Sequence, residues 1–293
     1  MSNGLALQTG AHGAHLGDPW TVWSANPLVT LALAAVTFLY LVGWWRLWGR
    51  KRLDMRSLAQ AFSFLLGINI LNLALTSPLD HVAHHYLLSV HMVQHVLIGD
   101  VAPILLTLGV AGPLAVAVVP RPLRRAATRP RIRPVVRVLC RPWFAFVAWS
   151  VVTCGWYVPA AYALAMRDPW AHAAMQTSII LTGLGVWAHI IGTVPGMLMS
   201  HARRAAYALG LLGVGMVLSE VLFLADPLYA TYIDQPQRLF GLSPTADQVR
   251  AALVMGSEQI ITILLAATLL MWTHVDRVAA EMEAASEAPP ETG

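Results

Sequence analysis

Seven stretches of mostly apolar residues recur along this chain of 293 residues and restrict what it can fold into. A helix of roughly 20 apolar residues is long enough to cross the hydrocarbon core of a bilayer. The stretches lie at about 27–48, 58–76, 83–108, 143–165, 171–194, 205–225 and 249–273. Hydrophobic residues make up 57% of the chain. The sequence therefore predicts an all-α, polytopic membrane protein with seven transmembrane helices.

The composition also excludes several classes of protein. Only 12% of the residues are charged, whereas soluble domains have about 25%, which argues against a disordered chain or an ordinary cytosolic enzyme. The net charge of +4 does not indicate a nucleic-acid-binding module, because the basic residues are confined to a few segments. Two cysteines, Cys140 and Cys154, are too few for a disulfide framework. We expect the lipid bilayer as a partner and no nucleic acid.

The positions of the basic residues predict the orientation of the chain. Cytoplasmic loops of membrane proteins carry an excess of Lys and Arg. With the N-terminus outside, sixteen of the nineteen basic residues fall on the cytoplasmic side, within 46–56, 121–141 and 203–204 and at Arg277. The pattern therefore predicts an N-out/C-in topology.

This topology divides the chain into three parts. Residues 1–26 form an outer N-terminal segment, and residues 27–273 form the seven-helix transmembrane domain. Residues 274–293 form an acidic, Pro-containing cytoplasmic tail, which we expect to be disordered because it has little apolar surface to bury.

The third stretch concentrates ionisable residues, which are costly inside a membrane and indicate function by default. At about 100° per residue, His84, His91 and His95 lie on one face of a continuous helix. His91 and His95 are one turn apart, a spacing at which two imidazoles can reach one metal ion. Met92 lies about 80° from this stripe and could serve as a soft ligand for cuprous ion.

Three further candidates lie in the same predicted outer half of the membrane. His172 falls in the first turns of the fifth stretch, Glu220 near the outer end of the sixth, and Glu258 in the seventh. A buried carboxylate needs a partner cation or a raised pKa, so we expect both glutamates to face the histidine stripe. A structural role is the alternative: the histidines would hydrogen-bond inside the bundle and the glutamates would form ion pairs there.

The segment His91-Met-Val-Gln-His95, followed by Ala102-Pro103-Ile-Leu-Leu-Thr-Leu-Gly109 and Gly112-Pro113, resembles one known family. It is similar to the seven-helix CtaG-type assembly factors of caa-type cytochrome c oxidases. The resemblance extends from about Trp20 to Trp272, with further matches at Trp156–Tyr162, His172, Gly183–Trp187, Pro227–Tyr229 and Asp247-Gln248. Tyr157 and Gln176 stand where the family pattern leads us to expect histidine. His91, His95 and His172 match that pattern.

The resemblance implies a non-enzymatic factor of the bacterial inner membrane that helps to mature a haem–copper oxidase. Copper would be its cargo, and the oxidase subunits would be its partners. Imidazole and thioether ligands suit copper. The resulting candidate metal ligands are His91 and His95, with His84, His172, Met92, Glu220 and Glu258 around them.

Four other functions fit the sequence less closely. Haem could bind between histidines of facing helices, such as His91 and His172. A copper transporter would need polar residues that continue to the inner face, and a scaffold for oxidase subunits would need no metal. Two histidine boxes, at 81–85 and 91–95, are typical of membrane di-iron enzymes, but the chain has no third box.

Overall fold

The computed structural model describes residues 18–24, 26–48, 55–193 and 199–287, and the regular structure within these ranges is helical. In chain order the helices are α1 Pro27–Trp48, α2 Met55–Thr76, α3 Pro78–His85, α4 Leu88–Gly109, α5 Pro113–Ala117, α6 Arg121–Ala127, α7 Arg133–Leu139, α8 Pro142–Trp156, α9 Pro159–Arg167, α10 Pro169–Ile191, α11 His201–Leu224, α12 Ala230–Ile233 and α13 Pro244–Glu287. The all-α class predicted from the sequence is confirmed.

Six of the described helices are long and apolar enough to cross a membrane, so the chain is a multi-pass membrane protein. The predicted span 143–165 is instead divided between α8, which has 15 residues, and α9. The division falls before Pro159, because proline disfavours helical geometry in the residue that precedes it. A seventh span arises only if α7 and α8, which are bent by 66° to each other, count together. The seven-helix count and the N-out/C-in orientation remain predictions.

Helix α4 occupies the centre of the bundle. Within the chain, 61% of its most apolar window is buried, against 11% of that of α1. It contacts α2, α10 and α13. The histidines of α4 therefore lie among other helices rather than against lipid.

The crossing of α4 and α10 depends on two glycines. The backbone of α4 widens into a π-helical turn at Leu97–Val101. This turn lies just before Pro103, which has no backbone N–H to donate to it. The carbonyl oxygen of Gly99 lies only 2.1 Å from where a Cβ on Gly183 would be. This close approach brings Trp187 of α10 to Asp100, whose Oδ1 accepts a hydrogen bond from the indole Nε1 at 3.1 Å.

The described residues include part of each predicted terminal segment. Of the outer segment 1–26, residues 1–17 lie outside the described part, and the next residues include a 3₁₀ turn at Pro19–Thr21. Of the predicted acidic tail 274–293, the residues up to Glu287 continue α13. The Ala, Glu and Met residues of this part are strong helix formers. The disorder of the tail remains a prediction. Residues 288–293 lie outside the described part.

We expect Gly183→Ala to lower the free energy of unfolding by about 1–3 kcal/mol, because the new Cβ meets a backbone atom that cannot move aside alone. The measurement is thermal unfolding of the purified protein in detergent. Gly213→Ala, in the interior of α11 with open space around it, is the matched control. It should unfold at the same or a higher temperature. Equal melting of both variants would contradict this account of the crossing.

Candidate functional site

The chain breaks between α3 and α4, where the sequence predicted one continuous helix over 83–108. Helix α3 ends at His85, and Leu87 is extended. The carboxylate of Asp247, on α13, accepts hydrogen bonds from the backbone N–H of Leu88 at 2.7 Å and of Ser89 at 3.1 Å. Asp247 thus supplies the N-terminal cap of α4. Its partners lie 158 and 159 residues away, so the local sequence does not reveal this break.

The next residue, Gln248, holds the end of another span. Its side-chain Nε2 donates to the carbonyls of Leu222 and Ala225, at 3.0 and 2.9 Å, at the C-terminus of α11. Its Oε1 accepts the N–H of Leu228 at 2.8 Å. Two adjacent residues of α13 therefore join the beginning of α4 to the end of α11.

The break does not separate the histidines. The rings of His91 and His95 are 4.5 Å apart between centroids, and the ring of His172 lies 5.9 Å from that of His91. His84, which is on α3, reaches the group because its ring is 4.7 Å from that of His172. The single helical face predicted for His84, His91 and His95 is interrupted, but the structure still brings them together with His172.

Two tyrosines hold the Nδ1 atom of His91. This atom lies 2.8 Å from the hydroxyl of Tyr232 and 2.8 Å from that of Tyr162. The two hydroxyls are 2.9 Å apart. Burial raises the pKa of both tyrosines well above the ordinary value, so both remain protonated phenols.

The hydrogen-bond acceptors around Tyr232 indicate which of these three groups, His91, Tyr162 and Tyr232, donates in each contact. Tyr232 donates to the carbonyl oxygen of Ala83 at 2.7 Å, and a carbonyl can only accept. Because the Tyr232 proton is committed there, the contact between Tyr232 and His91 requires that Nδ1 of His91 carries a proton and donates it. Tyr162 then donates to the Tyr232 oxygen. This tautomer leaves Nε2 of His91 with a free lone pair.

His95 is held in a similar way. The hydroxyl of Tyr157 donates to the sulfur of Met92 at 2.9 Å, and Nδ1 of His95 lies 3.2 Å from the same hydroxyl. In the tautomer in which Tyr157 donates to the sulfur, Nδ1 of His95 is the donor and its Nε2 has the free lone pair. Nε2 of His91 and Nε2 of His95 are both buried without a hydrogen-bond partner among the described residues.

Two unpartnered imidazole nitrogens in a buried site have the chemistry of metal ligands. Metal-bound histidines usually donate the other ring nitrogen to a protein group, and Nδ1 of His91 and Nδ1 of His95 each lie beside a tyrosine hydroxyl. Metal–imidazole bonds are about 2.0–2.1 Å, so two nitrogens that share an ion can be up to about 4 Å apart. The described residues contain no group of three His, Cys, Asp or Glu that could hold an ion. The donor set therefore fits a pair of ligands rather than a closed cage.

Asp80 connects three elements beside the histidines. Its carboxylate accepts hydrogen bonds from Gln94 Nε2 at 2.7 Å, from Gln176 Nε2 at 3.3 Å and from the Ser24 hydroxyl at 3.0 Å. Gln176 and Tyr157 are the two positions where histidine was expected. Both instead provide hydrogen bonds next to the cluster: Gln176 to Asp80, and Tyr157 to His95 and Met92.

The two candidate glutamates have different surroundings. Glu258 is buried and accepts hydrogen bonds from Gln259 at 2.6 Å and Thr262 at 2.5 Å. It shares with Met92 and His95 the wall of a cavity of about 50 Å³. Its part in a metal site remains a prediction.

Glu220 is exposed, contrary to the expectation that it faces the histidines. The neighbouring Ser219 turns inward instead and donates to the carbonyl of Ala252. Successive helical residues are about 100° apart, so the inward position of Ser219 directs Glu220 away from the cluster.

A cavity of about 290 Å³ opens beside α3, and the side chains that line it include Asp80, His81, His84, His85 and His172. Burial, followed by the nearby charge of His172, lowers the pKa of His84. Burial, followed by His84 and His81, lowers the pKa of His85. Both imidazoles therefore favour the neutral form, in which one ring nitrogen has a free lone pair.

Sequence reasoning missed the tyrosines. Tyr157 and Tyr162 belong to a segment that carries the family resemblance, but spacing assigned them no role. Tyr232 follows a stretch of irregular chain and reaches His91 across 141 residues. No periodicity in the sequence marks this contact.

The fold and the site define a multi-pass membrane protein with a pair of buried imidazoles near one end of its bundle. A family model for the cytochrome c oxidase caa3 assembly factors matches residues 38–277, which is most of the chain, and the chain belongs to this family. No curated protein and no solved structure matches the chain. The resemblance seen in the sequence is confirmed, and oxidase assembly is the function of the family.

We expect Tyr232→Phe to lower the free energy of unfolding by about 1–3 kcal/mol, because the carbonyl of Ala83 loses its partner and Nδ1 of His91 keeps only Tyr162. Thermal unfolding in detergent measures the loss. Tyr207→Phe is the control, since the Tyr207 hydroxyl is also buried but has no hydrogen-bond partner in the described structure. It should melt as the parent does. A Tyr232→Phe variant as stable as Tyr207→Phe would argue against the hydrogen bonds between His91, Tyr162 and Tyr232.

Proposed function

We propose that this chain is a non-enzymatic assembly factor that holds copper between His91 and His95 and supplies it to a haem–copper oxidase in the bacterial inner membrane. The observation that carries the proposal is the pair of buried imidazoles, one helical turn apart, each with Nδ1 engaged and Nε2 free. A buried polar nitrogen without a partner is costly, and a metal ion would remove that cost at both rings together.

The residues around the pair have separate tasks. Tyr232 and Tyr157 orient the two rings through Nδ1, so that both Nε2 atoms remain available. Met92 adds a thioether, which favours the cuprous state. Glu258 lines the same small cavity as His95 and would offset the charge of a bound cation. Copper would be the cargo of this protein and would take part in no reaction there. Exchangeable ligands suit a carrier that must release the ion.

Membership in an oxidase assembly family favours a carrier of copper over a transporter. From the histidine end, polar side chains reach Asp100 and Glu258, and Thr107 and His189 are buried further along α4 and α10, beside the apolar cluster of Ile104, Trp187 and Ile190. Copper held at His91 and His95 by an assembly factor would return to the predicted outer side, where the copper centres of such an oxidase are loaded.

Copper titration of the purified full-length protein tests the site. We expect His91→Ala/His95→Ala to lose a tightly bound copper equivalent, because it removes both free Nε2 atoms. His189→Ala/His201→Ala also removes two imidazoles, but these are away from the pair. His189 is in the last turn of α10, and His201 is the first residue of α11. This control should keep that equivalent. Equal copper uptake by the parent and His91→Ala/His95→Ala would contradict the assignment.

The role in assembly is tested in a strain that depends on this chain. Replacing the gene with the His91→Ala/His95→Ala form should lower the copper content and the activity of the haem–copper oxidase, whereas the His189→Ala/His201→Ala form should restore both. Normal oxidase copper in a deletion strain would overturn the assembly role. Full rescue by His91→Ala/His95→Ala would favour a scaffold that uses no metal.

A further inference from the structure

Two histidines of α3 have no part in the proposed copper pair. His81 and His85 line the cavity of about 290 Å³ together with His84 and His172. They also line a second, more open cavity of about 610 Å³ with Tyr86 and residues 235–237. His81 and His85 therefore stand between an open cleft and the buried cluster.

The imidazoles form an unbroken series from this cleft to the buried pair. The ring centroids are 4.9 Å apart for His81 and His85 and 4.6 Å apart for His85 and His84. The series continues to His172 at 4.7 Å, from His172 to His91 at 5.9 Å, and on to His95 at 4.5 Å. Neighbouring rings at these separations can share one ion after small side-chain rotations, because the two bonds together span about 4 Å.

Asp80 places a carboxylate in the same cavity. Ser24, Gln94 and Gln176 hold this carboxylate there through neutral donors. Arg167 also lines the cavity, so the two formal charges cancel, and an ion would bind there through the imidazole nitrogens rather than through net charge.

We propose that His81 and His85 form a second, outer binding site for cuprous ion, from which the ion reaches His91 and His95 by way of His84 and His172. The transfer rests on the proposed function, whereas the outer site does not. Because no described group of three side chains could hold an ion, two imidazoles at a time bind it, a low coordination number that cuprous ion accepts. Such weak, overlapping pairs let the ion move from ring to ring without entering lipid.

The test is an anaerobic titration of the full-length protein with cuprous ion, presented in a chromogenic chelator that competes for it. His81→Ala/His85→Ala should lose one equivalent and keep the tight equivalent of the buried pair. His91→Ala/His95→Ala should lose the tight equivalent and keep the outer one. His189→Ala/His201→Ala serves again as the control that lacks two histidines away from both sites.

A second measurement addresses the path. His172→Leu leaves both proposed binding pairs intact, so it should keep both equivalents at equilibrium but fill the buried pair more slowly after rapid mixing. Thermal unfolding of each variant without copper verifies the fold, and His81→Gln/His85→Gln replaces the alanine variant if that variant melts early.

The outcomes separate the two proposals. Full cuprous capacity in His81→Ala/His85→Ala, by either version, overturns the outer site. Loss of one equivalent there, with full capacity in His91→Ala/His95→Ala, supports the outer site and overturns the buried pair of the proposed function. Parent-like filling of the buried pair in His172→Leu overturns the path through that residue.

Discussion

The hydrogen bonds between Asp247 and the start of α4 organise the functional end of this protein. A helix end inside a membrane bundle cannot rely on water for its free N–H groups, and the carboxylate of α13 satisfies two of them at Leu88 and Ser89. This cap determines the residue at which α4 begins. It thereby sets the height of His91 and His95 relative to the tyrosines of α9 and α12. Gln248 joins α11 to the same point.

Hydrogen bonding is asymmetric at the two buried imidazoles. Nδ1 of each ring is engaged by a tyrosine, while Nε2 of each ring has no described partner. A bundle selected for stability alone would gain from pairing these nitrogens, since an unpaired buried polar atom is destabilising. The copper ion of the proposed function would pair with both nitrogens at once.

The spans and the central histidine pair could be predicted because both depend on residues close in sequence. Hydropathy located the long helices, and the spacing of His91 and His95 placed their rings on one turn. The division before Pro159 could also have been foreseen from proline geometry. Periodicity was insufficient for Glu220, because it relates residues of one helix to each other but does not say which face meets the bundle.

The length of the apolar stretches alone thus predicted a helical membrane protein, because the bilayer requires each spanning segment to satisfy its own backbone hydrogen bonds. The motif around His91 and His95 indicated the family. Only the folded chain decided where the third stretch breaks, which glutamate lies near the histidines and which tyrosines hold their rings. These features arise from contacts between residues such as His91 and Tyr232, which are 141 positions apart. No pattern within a single helix encodes such a contact, because it depends on how the helices pack.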